Sequence, residues 1–195
     1  MNRELLRKNF ESRQFIVDFF DKKNALLSYL VENVKNEVIA FGGSATVSEL
    51  DLASVLEEKN SIIWHNKSGD SARYHGFSVD TYFLSANAVS ETGYIVNIDG
   101  SGNRVAASLF GPKRVIYIIG KNKITSSLEE AMERARNVAA PKNAKRLSAS
   151  TPCAAKGDRC YKCELDSKIC RATVIIERAT RPRTELLFAD FELGF

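Results

Sequence analysis

The segment RVIYIIG (Arg114–Gly120) constrains the fold more than any other stretch of this chain, because it is short, rich in β-branched residues and apolar on both faces. Strands of this kind are typical of a parallel sheet that helices cover on both sides. Shorter apolar runs occur at EVIAF (Glu37–Phe41), SIIW (Ser61–Trp64) and TYFLSAN (Thr81–Asn87), with amphipathic segments between them. The alternation predicts an α/β fold with a mostly parallel sheet flanked by helices.

A length of 195 residues suits one domain whose core needs no disulfide. We expect N-terminal helices over residues 1–35, with a break near Asp21–Asn24, and an α/β core over residues 36–150. A four-cysteine segment over residues 151–171 then forms an insert before C-terminal strands at residues 172–195.

The compartment follows from the amino-terminal sequence and the absence of long apolar runs. MNRELLRKNFESR is too charged for a secretory signal, and no apolar run approaches the ~18 residues of a membrane span. The apolar fraction of 44% and the charged fraction of 27% are ordinary for a globular protein. We therefore expect a cytoplasmic protein with no membrane span.

A glycine loop follows the first apolar run and precedes a predicted helix. In open α/β sheets, ligands bind beyond the carboxyl ends of the strands, where Gly42, Gly43 and Ser44 lie. Glycine allows close approach of the backbone, and a helix N-terminus offers N–H groups and partial positive charge. The loop indicates a phosphate or carboxylate site. A tight strand-to-helix turn explains it equally well, since it is neither a P-loop nor a GxGxxG motif.

The polar segment at residues 85–104 contains carboxylates, amides and an arginine that together predict a polar pocket. Glu91 could act as a base or nucleophile if partly desolvated, and Arg104 could bind a carboxylate with two hydrogen bonds. Turn chemistry is the alternative explanation, and it suffices for Asp99 and Gly100.

The loop GKNK (Gly120–Lys123) follows the strongest strand on the expected ligand side. Asn122 and Lys123 could therefore face the same anion, although exposed loop lysines are commoner. His65 and His75 have no cysteine or histidine at metal-ligand spacing, so we expect them to be structural or surface residues.

All four cysteines lie in TPCAAKGDRCYKCELDSKICR (Thr151–Arg171), with gaps of six, two and six residues. A cytoplasmic setting disfavours disulfides. A CxxC pair lets two sulfurs reach one metal, and the outer cysteines flank this pair at equal distance. The predicted metal ligands, for an iron–sulfur cluster or alternatively zinc, are Cys153, Cys160, Cys163 and Cys170. Free or redox-active thiols are a third interpretation.

Positive charge is concentrated around the same segment. The net charge of the chain is +4, and residues 141–171 contain eight Lys or Arg and three Asp or Glu. This excess could be a solvated loop, could meet an anion, or could offset the negative charge of metal-bound thiolates. We expect no nucleic-acid partner.

Several motifs together resemble the LUD-domain (lactate-utilisation) family over about residues 36–195. They are GGSATVSEL, DTYFLSANAVSETGYIVNIDGSGNRVAASLFGPKRVIYIIGKNKI, AMERAR and the cysteine run ending in ICRATVIIER. The resemblance implies a Rossmann-like fold of the NagB/RpiA/CoA transferase-like group. Carried onto this chain, the ligand pocket would comprise Gly42, Gly43, Ser44, Asn87, Asn97, Asp99, Asn103, Arg104, Asn122 and Lys123, with Glu91 as the catalytic candidate.

Three functions follow from these features. The resemblance implies a subunit or accessory factor in the oxidation of L-lactate to pyruvate, alongside iron–sulfur partner subunits, in an assembly that could include further copies of this chain. The first alternative is an isomerase or CoA-transferase-like enzyme, because SETG (Ser90–Gly93) is similar to the motif that holds the catalytic glutamate of CoA-transferases. The second alternative is a non-catalytic, zinc-binding interaction module.

Overall fold

The computed structural model describes residues 1–64, 69 and 71–195, so His65 lies outside the described residues. The helices are α1 (Arg3–Glu11), α2 (Lys23–Asn33), α3 (Ala45–Glu49), α4 (Leu52–Leu56), α5 (Ala72–His75), α6 (Asn103–Leu109), α7 (Leu128–Arg134), α8 (Ala140–Arg146) and α9 (Pro152–Lys156). The strands are β1 (Ile16–Phe20), β2 (Val38–Phe41), β3 (Ser61–Ile63), β4 (Thr81–Leu84), β5 (Ala88–Ser90), β6 (Ile95–Asp99), β7 (Arg114–Gly120), β8 (Ile124–Thr125), β9 (Ala172–Ile176) and β10 (Arg183–Ala189).

A six-stranded sheet in the order β1-β10-β7-β4-β2-β3 forms the centre of the molecule, and every neighbouring pair is parallel. Side chains of β7 alternate between its faces: Val115, Tyr117 and Ile119 pack on one side, Ile116 and Ile118 on the other. Both faces are therefore buried, as the apolar run RVIYIIG requires. The predicted mostly parallel sheet flanked by helices is confirmed.

Helices cover one face of the large sheet, and a helix with a second sheet covers the other. Leu26 and Leu30 of α2 pack on the first face with α3 and α4. Leu6 and Phe10 of α1 pack on the opposite face. The second sheet has the order β8-β5-β6-β9, and a π-helical turn (Ala135–Ala139) between α7 and α8 packs against it.

The expectation of helices throughout residues 1–35 is wrong for β1. α1 ends at Glu11, and Gln14, three residues later, adopts φ of 68°, which prevents the helix from continuing. The following segment, FIVDFF, is rich in aromatic and β-branched residues, which favour a strand. β1 pairs in parallel with β10 from Ile16↔Glu185 to Phe20↔Ala189. A spacing of three residues would put Val17 and Phe20 on one face of a helix, but in the strand they pack on opposite faces of the sheet.

The chain beyond the cysteines contributes to both sheets. β9 is an edge strand of the second sheet, and β10 lies between β1 and β7 in the first. No helix within the described residues combines the length and the apolar character needed to cross a membrane.

Candidate ligand-binding site

A cavity of about 450 Å³ lies beyond the carboxyl ends of β2, β4 and β7. Its walls come from the glycine loop, the segments after β4 and β6, the start of α6 and the end of α8. Among the described residues that line it, the charged ones are four basic and one acidic: Arg73, Arg104, Lys123, Arg146 and Asp99. The cavity is thus cationic and stands where parallel α/β sheets bind ligands.

Lys123 is the most deeply buried cation of this cavity, with 4% of its surface exposed. Its Nζ donates to Thr46 Oγ1 at 2.8 Å and to Ser85 Oγ at 2.9 Å. The pKa of Lys123 is lowered from 10.5 to about 7, mainly by burial and then by the charges of Arg134 and Arg104, while the charge of Glu49 acts in the opposite direction. Near neutral pH the amine therefore exchanges between charged and neutral forms inside the cavity.

Arg104 holds the cavity wall together. Its guanidinium donates to Ile98 O at 2.6 Å and to Asn87 Oδ1 at 3.2 Å, and it reaches Ser85 O at 3.4 Å. These contacts join the segment after β4 to the end of β6. The sequence predicts that the guanidinium of Arg104 binds a ligand carboxylate. In the structure these N–H groups donate to acceptors of the protein itself.

Two further predicted residues also shape the wall. Asp99 accepts from Gly102 N at 3.0 Å and from Val105 N at 3.1 Å, which fixes the turn into α6. Asn87 accepts from Ile98 N at 2.7 Å through its Oδ1. Both side chains line the cavity while they hold backbone groups in place.

The glycine loop contributes Gly43 and Ser44 to the lining. A Cβ on Gly42 would lie 2.9 Å from Arg104 Cγ, so glycine is needed there for packing against Arg104. Ser44 caps α3 by accepting from Val47 N at 3.4 Å. Because α3 has only five residues, little of the positive potential in this cavity comes from its N-terminus.

The structure brings seven of the ten predicted ligand residues to the cavity: Gly43, Ser44, Asn87, Asp99, Asn103, Arg104 and Lys123. Gly42 lies just behind the wall. Asn97 is fully buried and accepts from Asn87 N at 3.2 Å. Asn122 binds the C-terminal tail, since its Nδ2 donates to Gly194 O at 3.1 Å and its Oδ1 accepts from Leu193 N at 3.1 Å.

Glu91 lies away from the cavity, beside α1. Its Oε1 accepts from Asn2 N at 3.3 Å, and its backbone carbonyl accepts from Asn9 Nδ2 at 2.6 Å. The structure therefore does not bring the predicted catalytic carboxylate to the ligand residues.

Sequence reasoning missed several residues of the wall, among them Ser85, Arg146 and Phe195. Ser85 carried a signal, because it directly follows a predicted strand on the ligand side. Arg146 and Phe195 carried none, since α8 and the C-terminal tail reach the cavity only through tertiary packing.

The four cysteines come together on a second, smaller cavity of about 10 Å³. Each is half-buried, and burial raises the pKa of the Cys170 thiol, with a further increase from nearby Cys160 and Cys163. Within residues 1–64, 69 and 71–195, no three or more His, Cys, Asp or Glu side chains form a metal-ligand arrangement. Ala140, Ile169 and Cys170 line both cavities, so the two share a wall.

The fold and the cavity define a class: an α/β domain with a ligand-sized, cationic cavity at the carboxyl ends of a parallel sheet. A family model described as the LUD domain matches residues 3–186. The chain belongs to the LUD-domain family, and it is in general a protein of the lactate-utilisation type.

One solved structure is similar to this fold, and a second matches about half of this chain. A DUF162 family protein from Deinococcus radiodurans has a TM-score of 0.53 at 13% identity, covering 97% of this chain and 99% of that one. Ribose 5-phosphate isomerase A from Neisseria gonorrhoeae has a TM-score of 0.37 at 20% identity, covering 54% of each chain. No curated protein matches the chain.

Proposed function

We propose that this chain takes part in the oxidation of L-lactate to pyruvate and binds a small carboxylate or phosphate in the cationic cavity. The observation that carries the proposal is the position of Lys123, an amine buried in the cavity wall and held by Thr46 and Ser85. A protonated lysine has three N–H donors. Among the described residues it donates to these two hydroxyls, which leaves one proton for a ligand oxygen.

The charge of the wall supports an anionic ligand. Lys123, Arg104 and Arg146 line the cavity, while Asp99 is occupied by backbone N–H groups and by a 3.6 Å contact with Arg104 Nε. In a partly desolvated site, a hydrogen bond to a charged group contributes about 1.5–3 kcal/mol. An anion that replaces water beside Lys123 thus offsets the cost of burying the lysine charge.

The volume of about 450 Å³ falls in the range of about 300–1,000 Å³ that is usual for small-molecule sites. Such a cavity holds lactate or pyruvate together with water, or a larger phosphorylated metabolite. Carboxylates and phosphates share the chemistry that Lys123 recognises, so the experiment below includes both.

The partner follows from the balance of the reaction. Oxidation of a 2-hydroxy acid to a 2-oxo acid removes two electrons and two protons, which an acceptor must take up. We include in the proposal the iron–sulfur partner subunits that the family implies. The alternative of an isomerase or CoA-transferase is not carried forward, because Glu91 lies beside α1.

Isothermal titration calorimetry with L-lactate, pyruvate and inorganic phosphate tests the ligand. We expect at least one of them to bind, and Lys123→Met to weaken its binding about tenfold to a hundredfold through loss of a charge-assisted hydrogen bond. The matched control is Lys121→Met, because Lys121 is exposed and belongs to the same turn.

The control should bind as the wild-type protein does. Failure of all three ligands to bind, or equal affinities in the wild-type protein and Lys123→Met, would overturn the proposal. Circular dichroism of both variants separates loss of binding from loss of fold.

A further inference from the structure

Three short pieces of backbone bring the cysteines together. Cys153 belongs to α9, Cys160 and Cys163 follow it in an irregular loop, and Cys170 lies two residues before β9. All four line the cavity of about 10 Å³, which has room for about one water-sized sphere. Since the chain has only these four cysteines, the fold gathers every thiol it has at one point.

The backbone at the CxxC pair is already turned toward a sulfur. Lys162 N donates to Cys160 Sγ at 3.4 Å, and Lys162 adopts φ of 49°, a left-handed conformation that costs energy for a residue with a side chain. Cys160 N donates to Asn137 Oδ1 at 2.9 Å, which fixes the loop to the π-helical turn. An N–H donor directed at sulfur stabilises the thiolate rather than the thiol.

The charges around the cavity match an anionic centre. Arg136 and Lys168 line it, and no Asp or Glu does so among the described residues. A divalent ion bound by four thiolates carries two negative charges, which Arg136 offsets together with Lys168, the latter being paired as well with Glu164 at 3.0 Å. Of the basic residues in 141–171, Lys168 lines this cavity, whereas Arg136 belongs to the π-helical turn.

We propose that Cys153, Cys160, Cys163 and Cys170 bind a single thiophilic divalent metal ion, zinc being the ion whose tetrahedral chemistry suits four thiolates. On binding, the four thiols release their protons to solvent and form four metal–sulfur bonds, with no change of oxidation state.

The sulfurs must converge for this to happen, because the described residues do not form a ligand set as they stand. Neutral thiols have no electrostatic reason to approach one another, whereas a cation draws four thiolates to one point. Rotation about the Cα–Cβ bond moves each sulfur without moving the backbone. The CxxC turn, the anchoring by Asn137 and the two cations surround the four thiols.

The test measures metal in the full chain, purified anaerobically, together with acid-labile sulfide and the absorption spectrum. We expect about one zinc per chain, no sulfide and no visible colour. Replacement of zinc by cobalt(II) should give sulfur-to-cobalt charge-transfer absorption. Cys163→Ser and Cys170→Ser should lose most of the metal, whereas the control Glu164→Gln should keep it, because Glu164 is exposed and does not line the cavity.

A second measurement uses only the wild-type protein, in case a serine variant fails to fold. Four thiols should react slowly with a thiol reagent in the metal-loaded protein and rapidly after chelation, with protection restored by added zinc. Iron with acid-labile sulfide would overturn the single-ion proposal in favour of a cluster. Absence of metal, together with four reactive thiols that zinc does not protect, would overturn metal binding altogether.

Discussion

Lys123 shows how one residue can serve the site at a cost to the fold. Its amine is buried against Thr46 and Ser85 and lies near the charges of Arg104 and Arg134, while Glu49 is the compensating charge among the described residues. Burial of a cation without a carboxylate partner is unfavourable. The residue therefore destabilises the ligand-free protein most when it is protonated.

This cost gives a pH dependence with a definite sign. The unfolded chain holds the lysine proton up to its ordinary pKa of 10.5, whereas the pKa in the folded protein is about 7. Between these values the unfolded state binds more protons, so the free energy of unfolding rises with pH. Urea unfolding of the wild-type protein between about pH 7 and about pH 9 should show this rise, and Lys123→Met should flatten it.

Equal slopes in the two proteins would contradict the burial of a titrating amine. Anion binding should show the opposite trend and weaken as the pH rises above about 7, because the ligand favours the protonated form. Calorimetry across the same pH range measures this directly.

At this scale the sequence predicts where Lys123 lies but not what surrounds it. The position after the strongest strand indicated the ligand side of the sheet. Its two hydroxyl partners lie 77 and 38 residues away in the chain, so their contact depends on the packing of β2, β4 and β7. Glu91 is predicted from the local motif SETG (Ser90–Gly93). A local motif does not predict whether its loop lies at the cavity or, as here, beside α1.

At the scale of elements, an ion pair joins the first residue of β7 to β10. Arg114 binds the fully buried Glu185 with two hydrogen bonds, from Nε to Oε1 and from an Nη to Oε2, both at 2.8 Å. Arg183 adds a contact to Oε1 at 2.9 Å. The pair lies at the amino ends of the strands, away from the cavity, and fixes their register.

Arg114→Met should lower the free energy of unfolding by about 3 kcal/mol, because among the described residues it leaves the buried carboxylate of Glu185 with Arg183 as its remaining ion-pair partner. The comparison is Lys113→Met, since Lys113 is largely exposed and pairs with Asp80 at the surface. Urea unfolding of both variants measures the difference. Similar midpoints for the two variants would show that Arg114 contributes no more than a surface pair.

Strands that are buried on both faces were predictable, and β1 was not. The segment of β7 is short, β-branched and apolar at successive positions, a pattern that is typical of a strand buried on both faces and not of an exposed helix. β1 follows α1 closely, and its aromatic residues suit a helix face as well as a strand edge. Only the parallel pairing with β10, 169 residues further along at Ile16↔Glu185, distinguishes them.

At the scale of the whole molecule, the two cavities share a wall formed by Ala140, Ile169 and Cys170. Arg171 N donates to Asp99 O at 2.9 Å, so the same piece of chain also contacts the end of β6. A metal bound by the cysteines would hold this shared wall in one position. The anion would then bind to a preorganised cavity.

Removal of the metal should therefore weaken anion binding several-fold, although no cysteine is proposed to contact the anion. Calorimetry on chelated protein, before and after added zinc, measures the change. Unchanged affinity would show that β9 and the contact from Arg171 suffice to hold the wall, and it would leave both sites independent.

The strand order has a consequence for synthesis on the ribosome. Among the strands of the described residues, β1 emerges before the others, yet its partner in the large sheet is β10, which emerges after them. Until β10 emerges, β1 exposes an unpaired, aromatic edge, and β7 lacks β10 as its neighbour on one side. Co-translational folding must therefore stop short of the native sheet, and a nascent chain stalled before residue 183 is a natural client for chaperones.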